Sequence, residues 1–294
     1  MRYTLRQLEV FAAVARVESV SRAAETLFMS QSAVSGALGD LEKQFDLRLF
    51  ERVGKRLVLS ELGRDLWPRA EALCEQARQL ELHLQGQPQG ELRIGATMTI
   101  GNHLCPPLMA RFLREHPGAR VSLHIGNTAE VAQRVKSFDI DVGLVEGELS
   151  DPELEVTRWR DDELLVFCAP KHALAKRKTL GDAELTSTPW IVREPGSGTR
   201  QAFERAFHGL LPKLELALQL SQTEAIKSAV AAGLGLGCLS RLALTEELKH
   251  RTLVACAVPR RNFRRSFFFV IHRGKFRSQA LEGWLALCRA APVA

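Results

Sequence analysis

The first 60 residues carry the hydrophobic pattern of three short helices. From Leu5 the apolar positions recur at helical spacing, which predicts a first amphipathic helix. Ser21 is the expected N-cap of a second helix, and residues 28–29 form the expected turn after it. Ser30 is the expected N-cap of a third helix that continues to about Lys43.

The third predicted helix separates its apolar residues from its polar ones. Its apolar stripe consists of Val34, Ala37, Leu38 and Leu41. Its small polar side chains lie near the N-terminal end and are Gln31, Ser32 and Ser35. A short basic hairpin is predicted over residues 51–59, with its turn near Gly54. The basic side chains of this hairpin are Arg52, Lys55 and Arg56.

Three short helices and a hairpin predict a winged helix-turn-helix whose third helix enters the major groove of double-stranded DNA. The amide and hydroxyls of that helix are short donors and acceptors that reach base edges, and Ser21 joins them on the second helix. The basic side chains of the hairpin are expected to contact phosphates, which adds affinity without sequence information. The alternative is a three-helix bundle with a solvated polar face and a charged turn.

Residues 61–86 predict one long helix with a heptad seam. Its apolar positions are Leu66, Ala70, Leu73, Ala77, Leu80 and Leu84. This spacing suits a coiled-coil partner, and packing against the chain's own domain is the alternative. Pro68 predicts a kink or a start within a bent segment. The Gly- and Pro-containing residues 86–90 predict a linker, where we place a domain boundary.

From Glu91 the pattern changes to short apolar runs that alternate with helical segments. This alternation predicts an α/β domain with largely parallel sheets, built as one sheet or as two lobes. The runs are 92–95, 121–125, 140–145, 164–168, 190–192, 214–220, 234–239 and 267–271.

Composition excludes several classes of protein. Apolar residues make up 46% of the chain and charged residues 25%, which excludes disorder of the whole chain. The apolar runs are far shorter than the ~18 residues of a membrane span, and residues 1–10 show no signal peptide. We therefore expect a cytoplasmic protein without a membrane partner. The six cysteines lie far apart, which favours free thiols over a zinc site.

Charge alone does not single out the N-terminal region. The formal net charge of +6 favours anionic partners. Residues 1–60 hold nine Lys and Arg against seven Asp and Glu, whereas residues 246–277 hold nine against two. The residue pattern, rather than the charge, therefore predicts DNA as the partner of the N-terminal helices.

Several motifs at the start of the chain occur in the order and spacing of one protein family. They are Leu5-Arg6-Gln7-Leu8-Glu9-Val10-Phe11, Ser21-Arg22-Ala23-Ala24, Ser30-Gln31-Ser32-Ala33-Val34-Ser35, Leu41-Glu42, Leu49-Phe50-Glu51-Arg52, Leu59-Ser60 and Gly63. With them the chain resembles the LysR-type transcriptional regulators over essentially its full length. The resemblance implies a sequence-specific DNA-binding regulator without a cofactor, not an enzyme.

The resemblance also implies an architecture. A winged helix-turn-helix DNA-binding domain (1–60) and a linker and dimerisation helix (61–90) would precede a periplasmic-binding-protein-like effector domain of two α/β lobes (91–294). A small effector would bind in the cleft between the lobes. The linker helix would join two copies, dimers would pair into tetramers, and RNA polymerase is a further candidate partner. The expected lobes are about 91–163 with 269–294, and about 164–268.

The recognition helix departs from the family pattern at Gly36. Many relatives carry Arg just after the residue that matches Ser35, so base readout by an Arg at that position is absent here. Gly39 follows, and two glycines inside a helix cost about 1 kcal/mol each relative to Ala. They would permit either close approach to DNA or a tight helix contact.

Four expected helix starts in the effector domain are rich in hydroxyls and amides: 97–102, 127–128, 196–200 and 221–223. Helix N-termini present free N–H groups and the positive end of the dipole, so they bind anions. In the two-lobed fold the first three would face the cleft, where Arg200 would grip an oxyanion with two hydrogen bonds. For each hydroxyl the alternative is a helix cap alone. The expected effector-binding residues are Thr97, Thr99, Asn127, Thr128, Glu146, Ser197, Gly198, Thr199 and Arg200.

Two carboxylates are also expected near the cleft. Glu146 follows a predicted strand and Glu194 precedes the glycine-rich turn, and either would bond a protonated ligand or orient Arg200. A solvated loop carboxylate is the alternative for each. Four segments are similar to a branch of the family linked to sulfur metabolism and sulfite sensing: 97–103, 146–147, 193–200 and 221–227. We therefore expect a small oxyanion such as sulfite as the effector.

Rival functions share parts of this pattern. An enzyme is disfavoured because residues 196–198 do not form a G-x-S-x-G elbow and residues 233–237 lack dinucleotide-loop spacing. A solute-binding transport protein would share the second domain but would need a signal peptide. A regulator of the same fold that senses an amino or aromatic acid, or oxidative stress through thiols, stays open. Cys238 is the thiol nearest the predicted cleft segments.

Overall fold

The computed structural model describes residues 2–54, 56–85 and 91–291. Its N-terminal part consists of α1 (Leu5–Val17), α2 (Val20–Thr26), α3 (Gln31–Phe45), β1 (Phe50–Val53), β2 (Arg56–Leu59) and α4 (Glu61–Leu84). This is the predicted winged helix-turn-helix followed by the predicted long helix. Across the described ranges, no helix is both long and apolar enough to cross a membrane.

Serine side chains begin the second and third helices, but one of them is not the serine we predicted. Ser30 caps α3 as expected, because its hydroxyl accepts a hydrogen bond of 3.1 Å from the amide of Ala33. The cap of α2 is Ser19, which accepts from the amide of Arg22 at 3.4 Å. The predicted Ser21 cap is therefore wrong. Ser19 has the extended backbone that an N-cap needs, whereas Ser21 already lies inside the helix.

The hairpin is fixed to the recognition helix by Glu42. Its carboxylate accepts hydrogen bonds of 2.6 Å from the amide of Leu49 and 3.3 Å from the amide of Phe50. Gly63 lets α4 approach the same corner, because a Cβ there would lie 2.2 Å from the carbonyl oxygen of Leu49. The predicted apolar stripe of α3 faces the core at Val34, Leu38 and Leu41.

The heptad seam of α4 is buried in its first half and exposed in its second half. Its first half packs on the same chain: Leu66 and Ala70 join the helix-turn-helix core. Trp67 also contacts Phe138 of the second domain (91–291), with ring centroids 5.5 Å apart. In its second half the seam is exposed at Leu73, Leu80 and Leu84. The helix runs through Pro68 without a break.

The second domain contains the remaining strands and helices of the described chain. The strands are β3 (Glu91–Thr97), β4 (Arg120–Gly126), β5 (Val142–Glu146), β6 (Leu154–Cys168), β7 (Trp190–Arg193), β8 (Leu216–Leu220), β9 (Leu236–Ser240), β10 (Val254–Cys256) and β11 (Arg264–His272). The helices are α5 (Cys105–Glu115), α6 (Thr128–Lys136), α7 (Asp182–Thr186), α8 (Gly198–Ala206), α9 (Thr223–Ala231), α10 (Thr245–Lys249) and α11 (Gln279–Ala290).

The sheet is mixed, with order β4-β3-β5-β11-β6-β9-β7-β8 and β10 beside β6. Strand β3 pairs in parallel with β4 and β5, and β7 pairs in parallel with β8 and β9. Between these groups, β6 and β11 run antiparallel to each other and to their outer neighbours. The expectation of largely parallel sheets is therefore wrong for the middle of the sheet. The long strands β6 and β11 connect the two lobes.

Each lobe has its own hydrophobic core. In the first, Trp284 of α11 packs edge-on against Phe112 of α5, with ring centroids 5.7 Å apart. In the second, Trp190 of β7 packs against Phe207, with ring centroids 5.0 Å apart. The crossover strands β11 and β6 therefore lie between two separately packed bodies, with β5 on one side and β9 on the other.

Candidate functional site

The predicted DNA-contacting side chains lie exposed on α2, α3 and the hairpin. Those that the structure describes are Ser21, Gln31, Ser32, Ser35, Arg52 and Arg56. Ser32 shares a hydrogen bond of 3.0 Å with Ser30, whereas within the described contacts the other four side chains of α3 and the hairpin have no hydrogen-bond partner. Lys55, predicted with them, lies outside the described residues. The polar groups of this face are available to an external partner.

The two glycines of the recognition helix are not explained by packing within the chain. A Cβ added at Gly36 or at Gly39 would meet no heavy atom within 4 Å. A tight helix contact is therefore excluded for the described part of this chain. The other explanation for the two glycines, close approach of α3 to DNA, remains a prediction.

In the second domain, the expected effector residues converge on Glu146 at the end of β5. One carboxylate oxygen of Glu146 accepts a hydrogen bond of 2.9 Å from the amide of Thr99, and the other accepts one of 3.0 Å from the hydroxyl of Thr199. Thr128 donates to the main-chain carbonyl of Glu146 at 3.3 Å. Gly198 abuts the same carbonyl so closely that a Cβ would stand 1.1 Å from its oxygen.

Arg265 of β11 is the counter-ion of Glu146 and is not among the residues that the sequence predicts for the site. Its Nη1 lies 2.8 Å from the Glu146 carboxylate and 3.0 Å from the hydroxyl of Thr199. Its Nε donates to Asp162 of β6 at 2.6 Å. Ser240 donates to the other oxygen of Asp162 at 2.7 Å. We call Thr99, Thr128, Glu146, Thr199 and Arg265 the Glu146 cluster.

A sequence signal for Arg265 does exist. Side chains alternate between the two faces of a strand, and β11 buries Arg265 on the same face as Phe267 and Phe269. The apolar run that predicts this strand begins only at residue 267 and does not include Arg265. Extending the alternation backward by two residues places a cation on the buried face.

Burial and charge oppose each other at the centre of the cluster. The side chains of Glu146 and Arg265 are only 2% and 1% exposed. Burial by itself would raise the pKa of Glu146, but the charge of Arg265 and the hydrogen bonds from Thr99 and Thr199 outweigh it and hold this pKa below its ordinary value. Burial would lower the pKa of Arg265, yet Glu146 and Asp162 raise it above its ordinary value. Both groups are therefore charged at neutral pH.

Thr97 lies at the end of β3, two residues before Thr99. Its hydroxyl is buried and has no hydrogen-bond partner within the described chain. Buried polar groups are almost always paired, so this hydroxyl is suited to a small polar ligand. The backbone amide of Thr99, two residues further along the chain, donates to Glu146 in the cluster.

Two other predicted effector residues act as helix caps. The hydroxyl of Ser197 accepts from the amide of Arg200 at 3.4 Å at the start of α8. The side-chain oxygen of Asn127 accepts from the amide of Glu130 at 3.0 Å at the start of α6. These contacts match the cap alternative, although the main chains of the two turns also meet, since Ala129 donates to the carbonyl of Gly196 at 3.4 Å.

The guanidinium of Arg200 is engaged within its own lobe. It donates to Glu204 at 2.6 Å and to the carbonyl of Arg193 at 3.0 Å. Glu194, the second expected carboxylate, pairs with the side chain of Arg193 at 2.7 Å. The structure therefore brings neither Arg200 nor Glu194 to the Glu146 cluster, and the cation at the cluster is Arg265.

A cavity of about 710 Å³ opens along the crossover strands next to the cluster. Of the nine expected effector residues, Gly198 is the one that lines it in the described chain. Its lining carries more positive than negative side chains. The basic ones are Arg158, Arg160, Arg205, Arg241, Arg264 and Arg265, and the acidic ones are Glu148, Asp161, Asp162 and Glu163.

All six cysteines are free thiols, as expected, and five of them are buried. Cys238 is buried, and burial raises the pKa of its thiol to about 12, which disfavours the reactive thiolate. Cys168 and Cys256, on the paired strands β6 and β10, have their sulfur atoms 3.5 Å apart. In the described ranges no group of His, Cys, Asp and Glu side chains has an arrangement that could hold a metal ion.

The sequence matches two family models. Residues 5–64 match the model described as bacterial regulatory helix-turn-helix protein, lysR family, and residues 85–292 match the LysR substrate binding domain. The chain belongs to the LysR family of transcriptional regulators. Its helix-turn-helix is thus the DNA-binding domain of a regulator, and its two-lobed domain is the effector-binding domain.

Individual relatives agree with this assignment. The HTH-type transcriptional regulator YeiE of Escherichia coli K12 is 44% identical over 293 residues, with 100% of this LysR-type chain and 99% of the relative covered. Full-length OxyR of Pseudomonas aeruginosa shares the fold, with a TM-score of 0.73 at 20% identity over 98% and 95% of the two chains. The CcmR regulatory domain of Synechocystis, solved in complex with 2-PG, is 28% identical with a TM-score of 0.64, over 69% of this chain and 97% of that one. These names point to transcriptional regulators and not to enzymes.

Proposed function

We propose that this LysR-type regulator acts in the cytoplasm and is controlled by a small oxyanion, with sulfite as the first candidate, bound at the Glu146 cluster. The observation that carries the proposal is the hydroxyl of Thr97, which is buried and has no hydrogen-bond partner in the described chain and lies two residues before Thr99 of the cluster. The donors there are an amide, hydroxyls and a guanidinium, which are the groups that bind oxyanions. The similarity of the surrounding segments to the sulfite-sensing branch adds support.

The anion would take over hydrogen bonds that Glu146 makes in the structure described. Thr99, Thr199 and Arg265 donate to the Glu146 carboxylate, and each would donate equally well to an oxyanion. Two negative groups so close together repel, so binding would move the carboxylate away from Arg265. Because Gly198 of α8 abuts the main chain of Glu146, that movement changes the packing between the lobes.

The change must reach the DNA-binding domain through α4. Trp67 of α4 contacts Phe138 of the first lobe, and Arg16 of α1 bonds Glu71 of α4 at 2.6 Å. The exposed second half of the α4 seam would pair two copies, which sets the spacing of two recognition helices on DNA. The effector regulates only if it binds the two arrangements with different affinity. RNA polymerase is the partner that we propose for the DNA-bound form.

A thermal-shift titration of the full chain tests the proposal. The ligands are sulfite, sulfate, thiosulfate, phosphate, 2-PG and a set of amino and aromatic acids. A ligand at 100 times its dissociation constant adds about 2.7 kcal/mol to the free energy of unfolding. We expect sulfite to raise the melting temperature and Thr97→Val to abolish that rise. Thr97→Val itself leaves stability nearly unchanged because it removes a hydroxyl without a partner.

Thr245→Val is the matched control, since Thr245 is exposed on α10. It should keep the full sulfite response. A response to 2-PG or an aromatic acid, but not to sulfite, sulfate, thiosulfate or phosphate, would reject the cluster as the effector site and favour the 710 Å³ cavity. No response to any ligand would reject the oxyanion proposal and leave the DNA-binding function unaffected.

A thiol-based response is the second candidate function, and the contact between Cys168 and Cys256 favours it. Peroxide would oxidise the two thiols to one disulfide and would itself be reduced to two molecules of water. The test is a count of free thiols by mass spectrometry after peroxide treatment, in the native chain and in Cys168→Ser. Loss of two thiols in the native chain, with altered DNA binding, would support it. Unchanged DNA binding after oxidation would reject it.

A further inference from the structure

Phe28 differs from every other large apolar side chain in the described ranges. It is 98% exposed, whereas the next most exposed, Leu84, retains 78%. Phe28 lies in the turn between α2 and α3, two residues before the cap of the recognition helix. Its neighbour Met29 packs on the helix-turn-helix core, which anchors the turn while the Phe28 ring points away from it.

The backbone at Phe28 is the kind that favours glycine. Its φ angle is +52°, and the turn closes α2 with hydrogen bonds from Met29 to Ala24 at 2.9 Å and from Phe28 to Glu25 at 3.3 Å. This is a Schellman motif, whose left-handed position is usually Gly or Asn. A bulky aromatic residue there is strained, and its ring buries no surface in the free chain. Folding therefore gives no reason for a phenylalanine at this position.

We propose that Phe28 is a DNA contact that determines sequence specificity, with its ring packed on a thymine methyl at the rim of the major groove. The proposal rests on the DNA-binding function of the family and is independent of the effector. Phe28 is exposed like Gln31 and Ser35 and precedes Gln31, the first residue of α3, by three positions. Gly36 has no side chain, and no atom of the described chain lies within 4 Å of where its Cβ would be, so α3 can come close to the bases. Such an approach would bring the preceding turn to the edge of the groove.

The chemistry of the contact separates it from the basic side chains of the hairpin. The major groove identifies thymine by its C5 methyl group, and an aromatic side chain packs on that methyl. Phe28 is uncharged, so its contact releases no counter-ions and leaves the salt dependence of binding unchanged. Its contribution should therefore appear on specific DNA and be absent on random DNA.

The experiment compares Phe28→Gly with Asp46→Gly in the full chain. Asp46 is the matched control, because it also has a left-handed backbone, with φ of +51°, but lies at the opposite end of α3. The probes are a duplex selected by the protein from a random library, the same duplex with uracil in place of thymine, and a mixed-sequence duplex. We expect Phe28→Gly to weaken binding to the selected duplex about tenfold, and to the mixed duplex not at all. Asp46→Gly should change neither.

The uracil duplex identifies the group that is contacted. The native chain should lose a similar factor on it, and Phe28→Gly should bind the thymine and uracil duplexes equally. Unchanged affinity of Phe28→Gly for the selected duplex would overturn the proposal. An equal loss on the selected and mixed duplexes would place the ring on the sugar-phosphate backbone and overturn base contact. If Phe28→Gly fails to fold, Phe28→Asn repeats the test, since Asn tolerates the left-handed backbone.

Discussion

The recognition face, which is the exposed polar surface of α3 and the hairpin, differs from the Glu146 cluster in how its polar groups are bonded. On α3 and the hairpin the polar side chains are exposed, and Gln31, Ser35 and Arg56 make no hydrogen bond within the described chain. Between the lobes, Glu146 and Arg265 are almost fully buried, and each bonds several partners. DNA therefore meets groups that are free to bind it, whereas an effector meets groups that already bind one another.

This difference separates two kinds of binding cost. A partner of the exposed face of α3 and the hairpin displaces only water. The helix-turn-helix domain therefore needs no rearrangement before it contacts DNA. An anion at the cluster must exchange with the Glu146 carboxylate, which contacts both lobes through Thr99 and Thr199. We therefore expect ligand binding at the Glu146 cluster to change the conformation, and we expect the helix-turn-helix domain to bind DNA as a rigid body.

The largest expected effect is loss of stability in Arg265→Met. Removing this cation leaves the buried carboxylates of Glu146 and Asp162 without their partner, and breaking a buried ion pair costs about 3–5 kcal/mol. Urea unfolding of the full chain measures the change. Arg241→Met is the matched control, because Arg241 is 61% exposed and pairs with Glu163 at 2.7 Å. An exposed pair contributes about 0–1 kcal/mol. Equal losses of stability in the two variants would therefore contradict a special role for the buried Arg265.

The second prediction concerns acid stability. The pKa of Glu146 in the folded chain is below its ordinary value, so its stabilising effect is present above the ordinary carboxyl range and is lost as the pH falls through the folded pKa. Glu146→Gln should therefore be less stable at neutral pH, by about 1.5–3 kcal/mol for a lost charged hydrogen bond, and should lose less on acidification.

Urea unfolding from neutral pH into the acid range measures both differences. Glu148→Gln is the control, since Glu148 is exposed and pairs with the exposed Arg205 at the surface. It should follow the native profile. Parallel acid profiles for the native chain and Glu146→Gln would mean that Glu146 is not held charged by Arg265.

The same comparison explains what the sequence could predict. The helix-turn-helix depends on contacts close in sequence, so the spacing of Val34, Leu38 and Leu41 and the cap at Ser30 suffice to place α3. Ser19 and Ser21 both fit as caps of α2, and only the backbone angle distinguishes them. Local pattern therefore predicts the elements and leaves small errors at their ends.

The cluster depends on contacts far apart in sequence, and there the prediction was incomplete. Glu146 is among the expected residues because it follows a predicted strand, and the structure places it between Thr99 and Thr199. Arg265 is 119 residues further along, and nothing local links it to Glu146. The helix-start pattern predicts that Arg200 binds the anion, whereas in the structure its side chain pairs with Glu204. The antiparallel course of β6 and β11 decides which cation reaches the cleft.

The third prediction tests the recognition face through Gln31→Ala. An amide that reads a base edge contributes about 1–3 kcal/mol of discrimination, so specific DNA affinity should fall by that amount. The free energy of unfolding should change by less than about 0.5 kcal/mol, because Gln31 is exposed and unpaired in the described chain. Binding to a selected duplex and urea unfolding provide the two measurements. Gln44→Ala, near the other end of α3, is the control, and an equal loss of affinity there would contradict the assignment.

The smallest expected effect is in the salt dependence of DNA binding. Arg56 is exposed on β2 and should contact one phosphate, so Arg56→Ala should reduce the slope of log affinity against log salt by about 0.9. Selected and mixed duplexes should show the same reduction, because phosphates carry no sequence information. Arg69→Ala on α4 is the control, and an unchanged slope for Arg56→Ala would place the hairpin away from the backbone. Together with Gln31→Ala this separates the two contributions of one exposed face: Arg56 changes the slope on both duplexes, whereas Gln31 changes affinity on the selected duplex alone.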